Sequence, residues 1–181
     1  EVLKFSSNGL DCVIVNPSTV YGRGDMSLNS GLIIKSVYTG RIKFAPPGGT
    51  SYVTASDLAD GVILAMEKGR PGERYILSAG NLEYIELCNT IADALGARPV
   101  KKKLPRFFYY PAIAAASVVE AGAALLKLKN PLVTTQIVKE TFGYKYFSSD
   151  KARSALGWAP RESLSDAVRA AFMFYKEQGL V

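Results

Sequence analysis

The sequence predicts an α/β fold, and three observations carry that prediction. Short apolar runs alternate with helical patterns through the first half of the chain, a strand-helix-strand-helix rhythm. The run DCVIVN, residues 11–16, lies between Gly9 and Pro17 and is apolar through its centre, as a strand covered on both faces of a parallel sheet would be. Near the end, Leu164, Ala167, Val168, Ala171, Phe172 and Tyr175 recur at helical spacing behind Ser163-Leu164-Ser165-Asp166, a capping sequence ahead of one buried face.

Taken in order, EVLKFSSNGL reads as the last turns of a helix ending at Gly9, and a helix without its start leads to the expectation of a fragment or a processed product. Asn16 and Pro17 end the first strand, and Ser18–Asp25, STVYGRGD, follows as a loop. GLIIKSVYTG, from about Asn29, is a helix closed by Gly40. RIKFAPPGGT is a short strand running into a Pro-Pro-Gly-Gly turn too glycine-rich for the core. Ser51–Ala55 is a strand; Ser56 then caps a helix, with Asp57 and Asp60 near its positive end and Leu58, Ile63, Leu64 and Met66 in its apolar positions. Gly69 and Pro71 stop it, ERYILSAG is a buried strand, and Glu83–Leu95 is a helix ended by Gly96.

Beyond Pro99 the chain turns basic and aromatic, then alanine-rich from Phe107 to Leu126. Glu120 inside this run and Pro111 near its start argue against a bilayer span and for a buried helix. Lys101–Lys103 beside Phe107, Phe108, Tyr109 and Tyr110 leave an interfacial anchor as the alternative. A helix near Leu132–Thr141, an extended YKYF and a two-turn helix between Ser149 and Gly157 precede the last helix.

Composition narrows the chemistry. With 181 residues, 48% of them hydrophobic and 21% charged, the chain suits one globular domain and excludes disordered or disulfide-scaffold classes. It has no histidine, which removes a Ser-His-Asp triad, an imidazole base and any His-containing zinc site; no metal site is expected. The net charge of +6 is dispersed, with too little clustering to argue for nucleic acid. Cys12 and Cys88 read as buried thiols in a reducing compartment, which places the chain in the cytoplasm, with a membrane-peripheral position left open. There is no Gly-x-Gly-x-x-Gly or Gly-x-x-x-x-Gly-Lys-Ser/Thr loop; Asp57 and Asp60 are explained by capping, and Ser18 and Thr19 have no base to activate them. Pro17–Tyr21 lies where ligands bind in open parallel sheets, beyond the carboxyl end of a strand; spacing alone leaves a ligand-contacting loop and a plain connection equally open.

NPSTVYGRGD, SYVTASDLADGVILAMEKGRPGERYILSAGN and DKARSALGWAPRESLSDAVRAAFMFYKEQGLV, in that order, resemble the second half of the extended short-chain dehydrogenases/reductases, the NAD-dependent epimerase/dehydratase family. The branch most similar is that of dihydroflavonol-4-reductase and the hopanoid-associated sugar-epimerase-like proteins. The resemblance implies the last strands of a Rossmann-type parallel sheet plus a mostly helical C-terminal substrate-binding region. Residues 1–181 would then be one C-terminal portion, with 1–25 and 51–96 in the sheet-and-helix core and 26–50 and 97–181 in the substrate-binding region.

By that resemblance the cofactor is NAD or NADP, with Pro17, Ser18 and Val20 approaching its nicotinamide end and Thr19, Tyr21 and Arg23 facing substrate. Asp57 would cap its helix and pack, and Trp158 and Pro160 match a packing signature near the end. The glycine-rich cofactor loop and the Tyr-x-x-x-Lys pair are absent, so no catalytic residue is assigned and the polypeptide is expected to be inactive without an N-terminal Rossmann half as partner. In nucleotide-sugar members an asparagine stands at the place of Thr19 and a phosphate-gripping arginine at about Thr50, with Arg23, Arg41 or Lys43 able to compensate here. The implied activity is NAD(P)-dependent oxidoreduction of a carbonyl or alcohol on an apolar substrate, with residues 107–116 lining or covering the pocket. The alternatives are a nucleotide-sugar epimerase or dehydratase, and a non-catalytic family-fold subunit or membrane-surface binding protein.

Overall fold

The computed structural model describes residues 9, 11–126 and 134–181. The helix expected before Gly9 and the start of the one expected at Leu132 lie outside the described residues.

Two small sheets form the framework. β1 (Ile14–Pro17) and β4 (Arg74–Leu77) pair in parallel, with Val15 opposite Tyr75. The second sheet centres on β3 (Gly49–Thr54), which takes β2 (Thr19–Tyr21) in parallel and β5 (Gly80–Glu83) antiparallel. β6 (Tyr144–Lys145) pairs in parallel with Gly49 and Thr50, lying end to end with β2 along one edge of β3. The helices are α1 (Gly31–Tyr38), α2 (Ala55–Lys68), α3 (Tyr84–Leu95), α4 (Tyr109–Leu125), α5 (Thr135–Phe142), α6 (Asp150–Leu156) and α7 (Leu164–Glu177). The result is α/β with parallel strand pairing, as the sequence predicts.

Two cores lie on opposite sides of β3. Tyr52 turns toward one, where α1, α3 and α7 bury Ile34, Leu87, Ile91, Val168 and Phe172. Val53 turns toward the other, made by Ala65 of α2, Tyr75 and Leu77 of β4, and Leu156 and Trp158 at the end of α6. This follows from the alternation of side chains along a strand. The predicted face of α7 is the buried one, residue for residue, and Ser163 accepts from the Asp166 amide as its cap. Gly96 and Gly157 close α3 and α6 in the left-handed conformation.

Several expectations are corrected. The first strand begins at Ile14, and Asn16 and Pro17 are exposed within it, because among the described residues only β4 pairs with it; a proline is tolerated at such an edge. Ser18–Asp25 is not all loop, since β2 forms against β3. The cap of α2 is Thr54, whose hydroxyl accepts from the Asp57 amide, two residues before the expected Ser56. The buried line of that helix is Asp57, Gly61 and Ala65, leaving Ile63 and Met66 exposed; small residues are needed there because a Cβ on Gly61 would come to 2.4 Å from Leu77. No full strand forms over 41–48, where Ala45 alone bridges to Lys103. The Pro-Pro-Gly-Gly segment is interior, not a surface turn. Pro47, Gly48 and Gly49 are buried, the amides of Gly48 and Gly49 donate to Thr141 and Gly143, and a Cβ on Gly48 would meet the Gly143 carbonyl at 2.0 Å. Finally, the alanine-rich helix α4 is exposed along most of its length, with only Ala116 and Ala123 buried.

Candidate functional site

The site begins where β2 ends. Gly22 carries the chain past α2 with φ +155°, and a Cβ there would stand 2.5 Å from that of Ala55. Beyond this crossing, Asp25 turns back to the N-terminus of α1. Its Oδ1 accepts from the Asn29 amide at 3.0 Å, and its Oδ2 from the amides of Ser30 and Gly31, both at 3.0 Å, and from the Ser30 hydroxyl at 3.2 Å. A carboxylate is thus held by the free N–H groups of a helix start. Partial burial opposes its ionisation, but these hydrogen bonds prevail and hold the carboxyl below its ordinary value of 3.8.

Between this loop, β2 and α2 lies a cavity of about 510 Å³, lined by Thr19, Val20, Arg23, Asp25, Ser30 and Ala55 among others. The Arg23 guanidinium pairs with Glu177 at 2.5 Å on the exposed rim and lies 5.5 Å from the Phe174 ring centre. The Thr19 and Thr50 hydroxyls are 3.3 Å apart, with Thr50 buried in β3. The two positions at which the sequence departs from the nucleotide-sugar pattern are therefore neighbours across the β2–β3 pair, 31 residues apart in the chain.

The six residues assigned from sequence part company here. Thr19, Val20 and Arg23 line the cavity. Tyr21 instead turns into the core with Leu87 and Cys88, and burial pushes its phenol up, with Tyr84, Cys88 and Tyr175 adding to the effect. Pro17 is exposed at the end of β1, and Ser18 donates its amide to the Leu77 carbonyl while its hydroxyl is buried without a hydrogen-bond partner among the described residues. Arg41, Lys43 and residues 107–116 are not among the cavity's lining; Tyr109 and Tyr110 border a separate cleft with Lys139 and Phe142.

Sequence reasoning missed Asp25, Ser30 and Tyr175. The Tyr175 hydroxyl is buried against the start of α1, and burial followed by the nearby Asp25 carboxylate pushes its phenol up to about 12. An acidic residue with Asn29 and Ser30 just ahead of a helical run was the available signal for the first two. For Tyr175 there was none, because its helical spacing marks it only as core.

No family model matches the chain. Among curated proteins it is 28% identical over 186 residues to a dihydroflavonol 4-reductase-like protein of Synechocystis sp., covering 100% of this chain and 53% of that one. It is also 28% identical over 184 residues to the 4-hydroxy-2-methyl-3-oxo-4-farnesyl-3,4-dihydroquinoline-1-oxide ketoreductase of Stigmatella aurantiaca, covering 94% and 52%. Among solved structures, gox2253 superposes with a TM-score of 0.73 at 33% identity, over 98% of this chain and 53% of that one. PA4631, a nucleoside-diphosphate-sugar epimerase from Pseudomonas aeruginosa, superposes with a TM-score of 0.71 at 26% identity, over 98% and 52%. The chain spans about half the length of the relatives it matches. In sequence and in fold it matches the C-terminal half of the extended short-chain dehydrogenases/reductases.

Proposed function

We propose that the chain is the substrate-binding half of an NAD(P)-dependent oxidoreductase acting on a carbonyl or alcohol of an apolar substrate. The observation that carries this reading is the Thr19–Thr50 hydroxyl pair. Neutral hydroxyls stand where the family resemblance puts an asparagine and a phosphate-gripping arginine in nucleotide-sugar members, so a diphosphate would lose its charge-assisted partner at that point. The likeness to a ketoreductase whose named substrate carries a farnesyl chain supports the same class.

The residues present fit one end of a dinucleotide. The buried Ser18 hydroxyl at the carboxyl end of β1, without a partner among the described residues, offers a hydrogen bond, and Pro17 and Val20 flank it. The dinucleotide would supply the hydride; the role of these residues is to orient it and to shield it from water. Its phosphates would need the glycine-rich loop of an N-terminal half, for which half-exposed β1 and the exposed Val62, Ile63 and Met66 of α2 offer a face.

The test is NAD(P)H oxidation by a polypeptide joining this chain to a half bearing the glycine-rich loop and Tyr-x-x-x-Lys. Turnover with apolar ketones is expected. Epimerisation of nucleotide sugars without ketone turnover would replace this reading with the epimerase one, whose own support is Arg23 on the cavity rim. In that case Arg23→Ala should abolish UDP-sugar binding. Conversely, Thr50→Arg is expected to raise UDP affinity about tenfold or more, as a charge-assisted hydrogen bond of about 1.5–3 kcal/mol implies, read by calorimetry.

A further inference from the structure

We propose that α4 lays its outer face into an anionic lipid bilayer, with the basic residues ahead of it among the headgroups. The helix has the reverse of ordinary surface polarity. Its one charged residue, Glu120, is turned inward, accepting from the Thr135 amide at 3.1 Å. Outside, Tyr110 is 79% exposed, Val118 72% and Leu125 84%, with alanines between them and no charge among the exposed positions. Ser117, the polar exception, donates its hydroxyl to the Ile113 carbonyl of its own helix. A solvent-facing helix in water carries charged residues on this side; here they are absent over the whole of Tyr109–Leu125, about 25 Å at the usual helical rise.

The start of the helix matches a membrane interface. Phe107, 71% exposed, and Phe108 form a short turn directly before it, at the place where aromatic rings settle at headgroup depth. Lys101 and Lys102 precede them without an ion-pair partner among the described residues, whereas Lys103 is paired with Glu83, and Arg106 lies over the Tyr144 ring within reach of the same carboxylate. Basic residues ahead of an apolar outer side describe a helix lying along a negatively charged surface. A second copy of the chain fits less well, since α4 offers no outward carboxylate to receive another copy's lysines.

Co-sedimentation of the full chain with phosphatidylcholine vesicles, with and without phosphatidylserine, tests this. Binding to the phosphatidylserine vesicles is expected, weakening as salt is raised and by about fivefold for each of Lys101→Ala and Lys102→Ala. Val118→Glu with Leu125→Glu should reduce it at least tenfold. These positions are exposed, so circular dichroism should show an unchanged fold. The proposal is overturned if phosphatidylserine vesicles leave the chain in the supernatant, or if the double glutamate variant sediments as well as the parent. It is equally overturned if that variant dissolves a dimer seen by ultracentrifugation in a chain that binds no vesicles.

Discussion

Asp57 is the residue on which most of the second core turns. Its Oδ1 accepts from the Arg161 amide at 2.7 Å, its Oδ2 takes the Thr54 hydroxyl, and its backbone carbonyl receives the Trp158 indole at 2.8 Å. The family resemblance assigned it to packing, and this geometry supplies the physical reason: a buried carboxylate satisfies amides more than a hundred positions away. Asp57→Ala should therefore strand those donors and cost about 2–3 kcal/mol, read from the urea midpoint. Asp25 gives a pH signature instead. Because its folded carboxyl titrates below the ordinary 3.8, its contribution is present above that value and is lost as pH falls through the folded one. Asp25→Asn should be less stable than the parent at neutral pH, and the gap should close as pH falls through the folded carboxyl's own value, under which both side chains are neutral.

At the scale of elements, legibility followed the locality of the cause. α7 was readable in full because its apolar spacing and its Ser163 cap are written within its own residues. β2 and β5 were not, since three or four residues such as Gly-Asn-Leu-Glu become a strand only when β3 is there to pair with them. The burial of Pro47–Gly49 was hidden for the same reason, its partners being carbonyls at Thr141 and Gly143. The exposure of α4 was beyond sequence reading because an apolar helix without a charged outer face looks like an interior one. Of the candidate site, the loop after β1 was located, but its anion-holding turn and the inward rotation of Tyr21 depend on α1 and α3. Gly48→Ala tests the hidden packing: its Cβ would meet backbone that cannot swing aside, so a loss of about 3 kcal/mol in thermal or urea unfolding is expected, well above the cost of a typical surface change.

For the molecule as a whole, the two cores make separable contributions. Phe172→Ala, which empties a position in the α1–α3–α7 core, should cost about 3–5 kcal/mol yet leave the Asp57–Trp158 junction assembled in whatever fraction stays folded. That junction carries its own optical label. Trp158 is the chain's only tryptophan, it is 1% exposed, its indole N–H is committed to the Asp57 carbonyl, and the Arg153 guanidinium lies 5.7 Å from the ring centre. Its emission consequently reports one side of β3 alone. A red shift that precedes the loss of helical ellipticity during unfolding would mean that the α2–α6 side opens first, and coincident transitions would mean that β3 couples the two cores into a single cooperative unit.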